Sequence, residues 1–158
     1  MDELPEACKR VEAAAQALGL TIGIRSLAAS TRTAEDAAVA CGCGVAQIVK
    51  SLVFRGATSG KPYLLLVSGA NRVDEAGVAS TIGEALDRPD ARFVREATGF
   101  AIGGIPPFGH ATALATCFDR DLLGHAVVFA AAGTPNSIFA VDPHRLAAAT
   151  GAAVIAVR

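Results

Sequence analysis

Apolar positions recur at two periods along this chain and divide it into short helices and short strands. Val11, Ala14, Ala15 and Leu18 fall three and four apart behind Pro5, a residue suited to a first turn. That spacing predicts a helix over residues 5–18, stopped by Gly19. Weak alternation over 21–25 suggests a short strand. Thr33 followed by Asp36 resembles a capping box and opens an Ala-rich helix running to Ala40, with a helical turn at 45–48 after the Cys41–Gly44 break. Residues 48–54 and 62–68 read as two strands joined by the turn 56–60, hence antiparallel. A helix follows over 73–82, then a polar connection at 86–90, a short strand at 92–94 and a helical turn at 95–99. Strands are expected at 111–118, 126–131, 137–141 and 153–157, with a helical turn at 120–123. Asp142 and Pro143 start a last helix to Thr150, Asp as cap and Pro in the first turn. Strands outnumber helices and mostly join by short turns. The fold class is therefore α+β, with a mixed, largely antiparallel sheet and flanking helices, in one domain over 1–158.

Two stretches break these patterns. In 48–54 both faces are apolar, as in a central strand. Ile48, Lys50, Leu52 and Phe54 share one face, so Lys50 sits in the middle of an apolar row. It is one of three lysines in the chain. Lysine is seldom buried without a partner. Either Lys50 snorkels past an edge, or it pairs with a carboxylate such as Asp74 or Asp119, or it is a cation at the floor of a pocket. The second stretch is Gly103-Gly104-Ile105-Pro106-Pro107-Phe108-Gly109. Its prolines stiffen the backbone and remove donors, and its glycines let another molecule approach. It is either a tight connector or a site loop whose remaining N–H groups face a ligand.

Composition narrows the function classes. The chain has 158 residues, 52% of them hydrophobic but only 5% aromatic, and a formal charge of −1. Near-neutrality excludes a protein that wraps a duplex and leaves only local contact with a nucleic acid. Residues 1–10 carry Asp2, Glu3 and Glu6 instead of a basic start and an apolar run. No window is apolar enough for a membrane span. A soluble, cytoplasmic protein is expected. Cys8, Cys41, Cys43 and Cys117 lack the spacing of a disulfide framework or a zinc site, and read as small packed thiols. His110, His125 and His144 are scattered, and only His110, beside the Gly/Pro loop, is a site candidate. The phosphate-loop, dinucleotide, nucleophile-elbow and zinc-protease motifs are missing. Neither a cofactor nor a metal is expected.

The ordered set of residues 47–54, 69–74, 103–109 and Ala132-Gly133 before a Pro-led helix resembles the YbaK/EbsC-type aminoacyl-tRNA editing family. That family includes free-standing trans-editing factors and the editing insertion of bacterial prolyl-tRNA synthetases. The resemblance spans nearly the whole chain, from about Thr33 to Val157. It implies a sheet curled towards a barrel and hydrolysis of the ester of a wrongly charged tRNA. The implied partners are a tRNA acceptor end bearing its amino acid and, in addition, an aminoacyl-tRNA synthetase. Lys50 matches the family's pocket lysine, and Gly103 and Pro107 match the ends of its G-x-x-x-P loop. Members acting on cysteinyl-tRNA have a small polar residue where Pro106 stands here, so the amino acid removed stays open.

An aminoacyl ester is already activated, so a positioned water can suffice. On this reading Lys50 binds phosphate or ribose oxygens, and the N–H groups of Gly103 and Gly104 bear the developing oxyanion. Ser51, Asn71, Arg72, Ile105, Pro106, Pro107, Phe108 and His110 are the expected substrate contacts, with Ser51 on the opposite face from Lys50. Selection would be steric, admitting small side chains. Two other classes remain: a non-catalytic module that binds an acceptor end or small ligand, and a thiol hydrolase using Cys41, Cys43 or Cys117.

Overall fold

The computed structural model describes residues 4–28 and 33–158; Asp2 and Glu3 lie outside them. The elements are α1 (Glu6–Ala17), β1 (Arg25–Ser26), α2 (Ala34–Cys41), β2 (Ile48–Gly56), β3 (Pro62–Ser68), α3 (Glu75–Ile82) and β4 (Leu86–Asp87). They continue with α4 (Ala91–Thr98), β5 (Ala115–Asp119), β6 (Val128–Ala131), β7 (Ser137–Val141), α5 (Pro143–Thr150) and β8 (Ala153–Ile155).

Capping side chains set several helix starts. Thr33 accepts the Asp36 N–H, Asp74 the Gly77 N–H, and Asp90 the Phe93 N–H. Asp142 accepts from both His144 and Arg145 ahead of α5. Asp90 explains why 92–94 is helical and not the expected strand. Its cap starts α4, which buries Val94, Ala97 and Thr98 while Arg92, Arg95 and Glu96 face outward. That is helical period, hidden by the strand-like run Arg-Phe-Val. The first strand shrinks to Arg25–Ser26, and Leu86–Asp87 is a strand where a plain connection was expected. β5 starts at Ala115, because the Ala111 and Thr112 N–H groups are spent on the last carbonyls of α4, Thr98 and Ala97. In α1 the buried residues are Cys8, Val11 and Ala15, and Leu18 is exposed past the helix end.

The sheet runs β1-β7-β6-β2-β3-β5-β8, with β4 added beside β2. Among the described residues four pairings are antiparallel and three parallel, so the sheet is mixed with only a small antiparallel majority. It is open, with β1 and β8 as edges, and does not close into a barrel. Period two divides its core. Leu64, Leu66 and Val49 pack with α1, α4 and α5 through Val11, Val94 and Leu146. Leu65, Val67 and Phe54 pack with Val78 of α3 on the other face, and Ile48 packs with Ala37 and Ala38 of α2. The result is three layers, helix–sheet–helix, with β2 and β3 at the centre.

The Gly/Pro loop belongs mostly to the core. Ile105 and Phe108 are buried in the first cluster, and the Phe108 ring lies 5.6 Å from that of Phe139. Gly104 is pressed on the turn before β7, where a Cβ would meet the Thr134 backbone at 2.7 Å. The hairpin joining β2 and β3 is fixed from outside by Glu84. Its carboxylate accepts the Thr58 and Ser59 N–H groups, the Ser59 hydroxyl and the Tyr63 hydroxyl. These bonds, with Tyr63 first, hold the Glu84 carboxyl down at about 2.

Two stability outcomes follow. Gly104→Ala should cost about 1–3 kcal/mol in urea unfolding, because backbone cannot yield as a side chain does. Gly124→Ala, where a Cβ meets nothing within 4 Å, serves as the control within about 0.5 kcal/mol of wild type. A carboxyl depressed in the folded state stabilises above its ordinary value and loses that contribution as pH falls through the folded one. Thermal unfolding followed from pH 4.5 to 2 should therefore fall more steeply in wild type than in Glu84→Gln.

Candidate active site

The site starts from an unfinished ladder. β2 has β3 along one edge from Val49 to Arg55. Its other edge is shared: among the described residues β6 pairs only at Ile48 and Val49, and β4 only at Arg55 and Gly56. In an antiparallel ladder alternate residues direct both backbone polar groups to the same side. Gly56 donates to Lys61 and Ile48 accepts from Gly69, which sets the even-numbered residues toward β3. Ser51 and Val53 therefore direct N–H and C=O into the gap between β6 and β4. Proline is the reason on the β4 side. Extending the β2–β4 register by two residues sets Pro89 opposite Val53, and proline has no N–H to continue it.

Two cavities meet at this gap and share Lys50, Ser51, Leu52, Ile102 and Ile105. The smaller, about 240 Å³, is walled by Ala34 and Ala37 of α2, Ile48, Phe129, Ala131 and Gly103. The larger, about 900 Å³, is bordered by Glu35, Asn71, Arg72, Arg88 and Pro89. A small apolar chamber thus opens into a wide, charged one, and Lys50 stands at the junction.

Lys50 is held there by a main-chain oxygen: its Nζ donates to the Asn71 carbonyl at 2.6 Å. Neither Asp74 nor Asp119 is its direct partner. Burial lowers the lysine pKa first; Glu35 and Asp119 work against that, and Arg72 adds to it. Asn71 is itself fixed. Its amide donates to Asp119 Oδ2 and Asp121 Oδ2, both at 2.8 Å. Asp119 is 1% exposed and also accepts the Ser68 and Asp121 N–H groups. Arg158 completes the network on Asp121 at 2.8 Å. The Asn71 side chain therefore serves the frame, and its carbonyl positions Lys50.

On the opposite side, the buried Ser51 Oγ has no hydrogen-bond partner among the described residues. A buried hydroxyl left so costs about 1–3 kcal/mol. Gly103 faces the small cavity at φ +101°, a conformation that favours glycine. Ile102 beside it is 60% exposed despite being apolar, and borders both cavities.

The gap gathers Lys50, Ser51, Asn71, Arg72, Gly103 and Ile105. It does not gather the remaining sequence candidates. The Gly104 N–H is donated to the Ala101 carbonyl at 3.2 Å, so it is engaged in a turn and does not face the cavity. Pro106, Pro107 and Phe108 are buried in the loop's core-facing half. His110 Nε2 lies 2.7 Å from the Pro106 carbonyl, and burial pushes its pKa down; it braces the loop. Cys41, Cys43 and Cys117 line neither cavity, and burial raises all three thiols, against a thiolate nucleophile. Glu35, Arg88, Ile102 and the fixing role of Asp119 and Asp121 were not singled out from sequence. Pro89 behind a two-residue strand is the one local signal of the gap.

The aminoacyl-tRNA editing domain model matches residues 28–149. The chain belongs to the aminoacyl-tRNA editing domain family. One curated relative of this editing domain is the uncharacterized protein YwhH of Bacillus subtilis (strain 168). It is 33% identical over 117 residues, which is 74% of each chain. Among solved structures, a candidate trans-editing enzyme for prolyl tRNA synthetase is 46% identical, with a TM-score of 0.93 over 99% of both chains. The hypothetical protein APE2540 is 30% identical, with a TM-score of 0.87 over 94% of this chain and 98% of that one. The editing-domain fold thus extends through the whole frame that positions Lys50.

The network predicts a signed shift. The Asp119 charge raises the Lys50 pKa, so Asp119→Asn should lower it further; NMR titration of the Lys50 ammonium checks this, and an unchanged or higher value contradicts the coupling. Asp119→Ala should cost about 3 kcal/mol in chemical denaturation, since it leaves buried donors unpaired.

Proposed function

We propose that this editing domain hydrolyses the ester of a mischarged tRNA that carries a small amino acid. The observation that carries the reading is the junction of a small apolar chamber with a wide charged one at a fixed lysine. The terminal ribose and its phosphate occupy the wide chamber. Lys50 Nζ binds their oxygens, and Arg72 adds positive potential at the rim. The amino-acid side chain enters the small chamber, whose volume lies below the roughly 300–1,000 Å³ of pockets for larger ligands. Fixed walls at Ala34, Ala37 and Ile138 make its size the selection rule.

The carbonyl carbon then lies near the Gly103 backbone. Water adds to that carbon and the carbonyl oxygen takes the charge, which the Gly103 N–H stabilises. The C–O bond to the ribose breaks, and the ribose oxygen leaves with a proton derived from the water. The products are a free amino acid and an uncharged tRNA. The chain acts in the cytoplasm as one editing domain, on the acceptor end of a tRNA. With a formal charge of −1, its affinity for the rest of the tRNA is low and is supplemented by a synthetase partner.

Deacylation of Ala-, Ser-, Thr- and Cys-charged tRNAs tests this. Wild type should clear at least one of them, and Lys50→Ala should be slower by about 100-fold, the scale of one lost charge-stabilising contact. Gly103→Ala should lose activity comparably through strain at its positive φ, and Cys41→Ser should retain it. Equal rates for wild type and Lys50→Ala would remove Lys50 from the mechanism.

A further inference from the structure

The gap in the sheet holds more polar capacity than the hydrolysis itself uses. Main-chain N–H and C=O groups need partners wherever they are shielded from water. Ser51 and Val53 together aim two donors and two acceptors into the gap, by the register of β2 with β3. The Ser51 Oγ, buried and without a hydrogen-bond partner among the described residues, lies on the same three-residue stretch. Both cavities include Ser51, and the larger includes Val53. This is the hydrogen-bonding face of a strand that has no neighbour there among the described residues, flanked by β6 on one side and β4 on the other.

An α-amino acid esterified through its carboxyl presents a donor and an acceptor one carbon apart, as a single strand residue does. Its ammonium group needs acceptors, and its carbonyl needs a donor. We infer that the main chain of Ser51 and Val53, with the Ser51 hydroxyl, is the receptor for the α-ammonium group of the aminoacyl ester. The Ser51 carbonyl and the Ser51 Oγ accept from the ammonium, and the Val53 N–H donates to the ester carbonyl and orients it toward Gly103, the pattern by which one residue of a parallel neighbour would pair with this edge. This inference rests on the deacylase reading above and deepens it.

Like charge does not forbid the arrangement. Lys50 and Ser51 project to opposite faces of β2, and Lys50 Nζ is drawn to the Asn71 carbonyl, away from the Ser51 side. The consequence is a substrate class. Esters with a free α-amine are recognised, and esters whose nitrogen is acylated are refused. An acylated nitrogen has one N–H in place of three, carries no charge and adds bulk at the strand edge. Such a site leaves acceptors unpaired when the wrong group enters, which is where discrimination is strongest. The domain would therefore act on aminoacyl-tRNA and spare a tRNA whose amino acid is already N-acylated.

Binding and turnover can be separated. The probes are 3′-alanylamino-3′-deoxyadenosine, which holds an amide in place of the ester, and its N-acetyl form. Affinity and backbone amide shifts are measured by NMR on the full chain. The free-amine probe should bind at least about tenfold tighter, with the Ser51 and Val53 amides among those that move, and Ser51→Ala should narrow the difference. Equal affinity for the two probes, or equal weakening of both in Ser51→Ala, overturns the receptor. Alanyl-tRNA and N-acetyl-alanyl-tRNA are then compared for hydrolysis. The acetylated substrate should be slower by about 100-fold. Equal turnover of the two overturns the receptor. If the probes bind as expected but no charged tRNA is hydrolysed, the receptor stands and the deacylase reading falls.

Discussion

A central strand has to satisfy its backbone on two edges, and among the described residues β2 does so on only one through its middle. The two cavities beside Lys50 follow from that constraint. The sheet supplies β6 and β4 as the posts of an opening, α2 and the Ile102–Gly103 tip as its walls, and the next face of β2 as the base for Lys50. A break in a sheet usually invites pairing with another chain. Here the break lies inside the sheet, between β6 and β4.

The opening is rigid because its surroundings belong to the core. Ile105 and Phe108 anchor the Gly/Pro loop under α1, and His110 braces it through the Pro106 carbonyl. Lys50 is held by a carbonyl, that carbonyl's residue by two aspartates, and one aspartate by Arg158. Each level restricts the next, so the ammonium is positioned before any ligand arrives. Its desolvation is tolerated because Glu35 and Asp119 oppose it.

Local signals in the sequence were the dependable ones. Thr33 and Asp142 announce their helices through capping, and the β2–β3 hairpin is visible in its turn and its alternation. Lys50 stands out because an apolar row is interrupted by a charge. The Gly/Pro loop was only half legible: its composition marks it as special but does not say that Pro106, Pro107 and Phe108 turn inward while Gly103 turns outward. Arg92-Phe93-Val94 misled because its residue types favour strands, while the deciding feature, the Asp90 cap, lies outside the run. The gap itself depends on which distant segments share one edge of β2, and apart from Pro89 no local pattern encodes that. The mixed sheet was expected, but not which strands pair in parallel: β5 beside β3 and β8 beside β5 are neighbours far apart in sequence.

Pro89 gives this arrangement an unexpected economy. The difference between a finished sheet and a usable opening is, on the β4 side, one hydrogen atom that proline does not carry. A residue able to donate there would let β4 zip along β2 toward Val53, and the scaffold would gain regularity as it lost its vacancy. In such a fold, completeness of the ladder and possession of a site are rival outcomes. A sequence drifting toward greater stability would then meet, at this position, a change that improves the architecture while removing what the architecture is for.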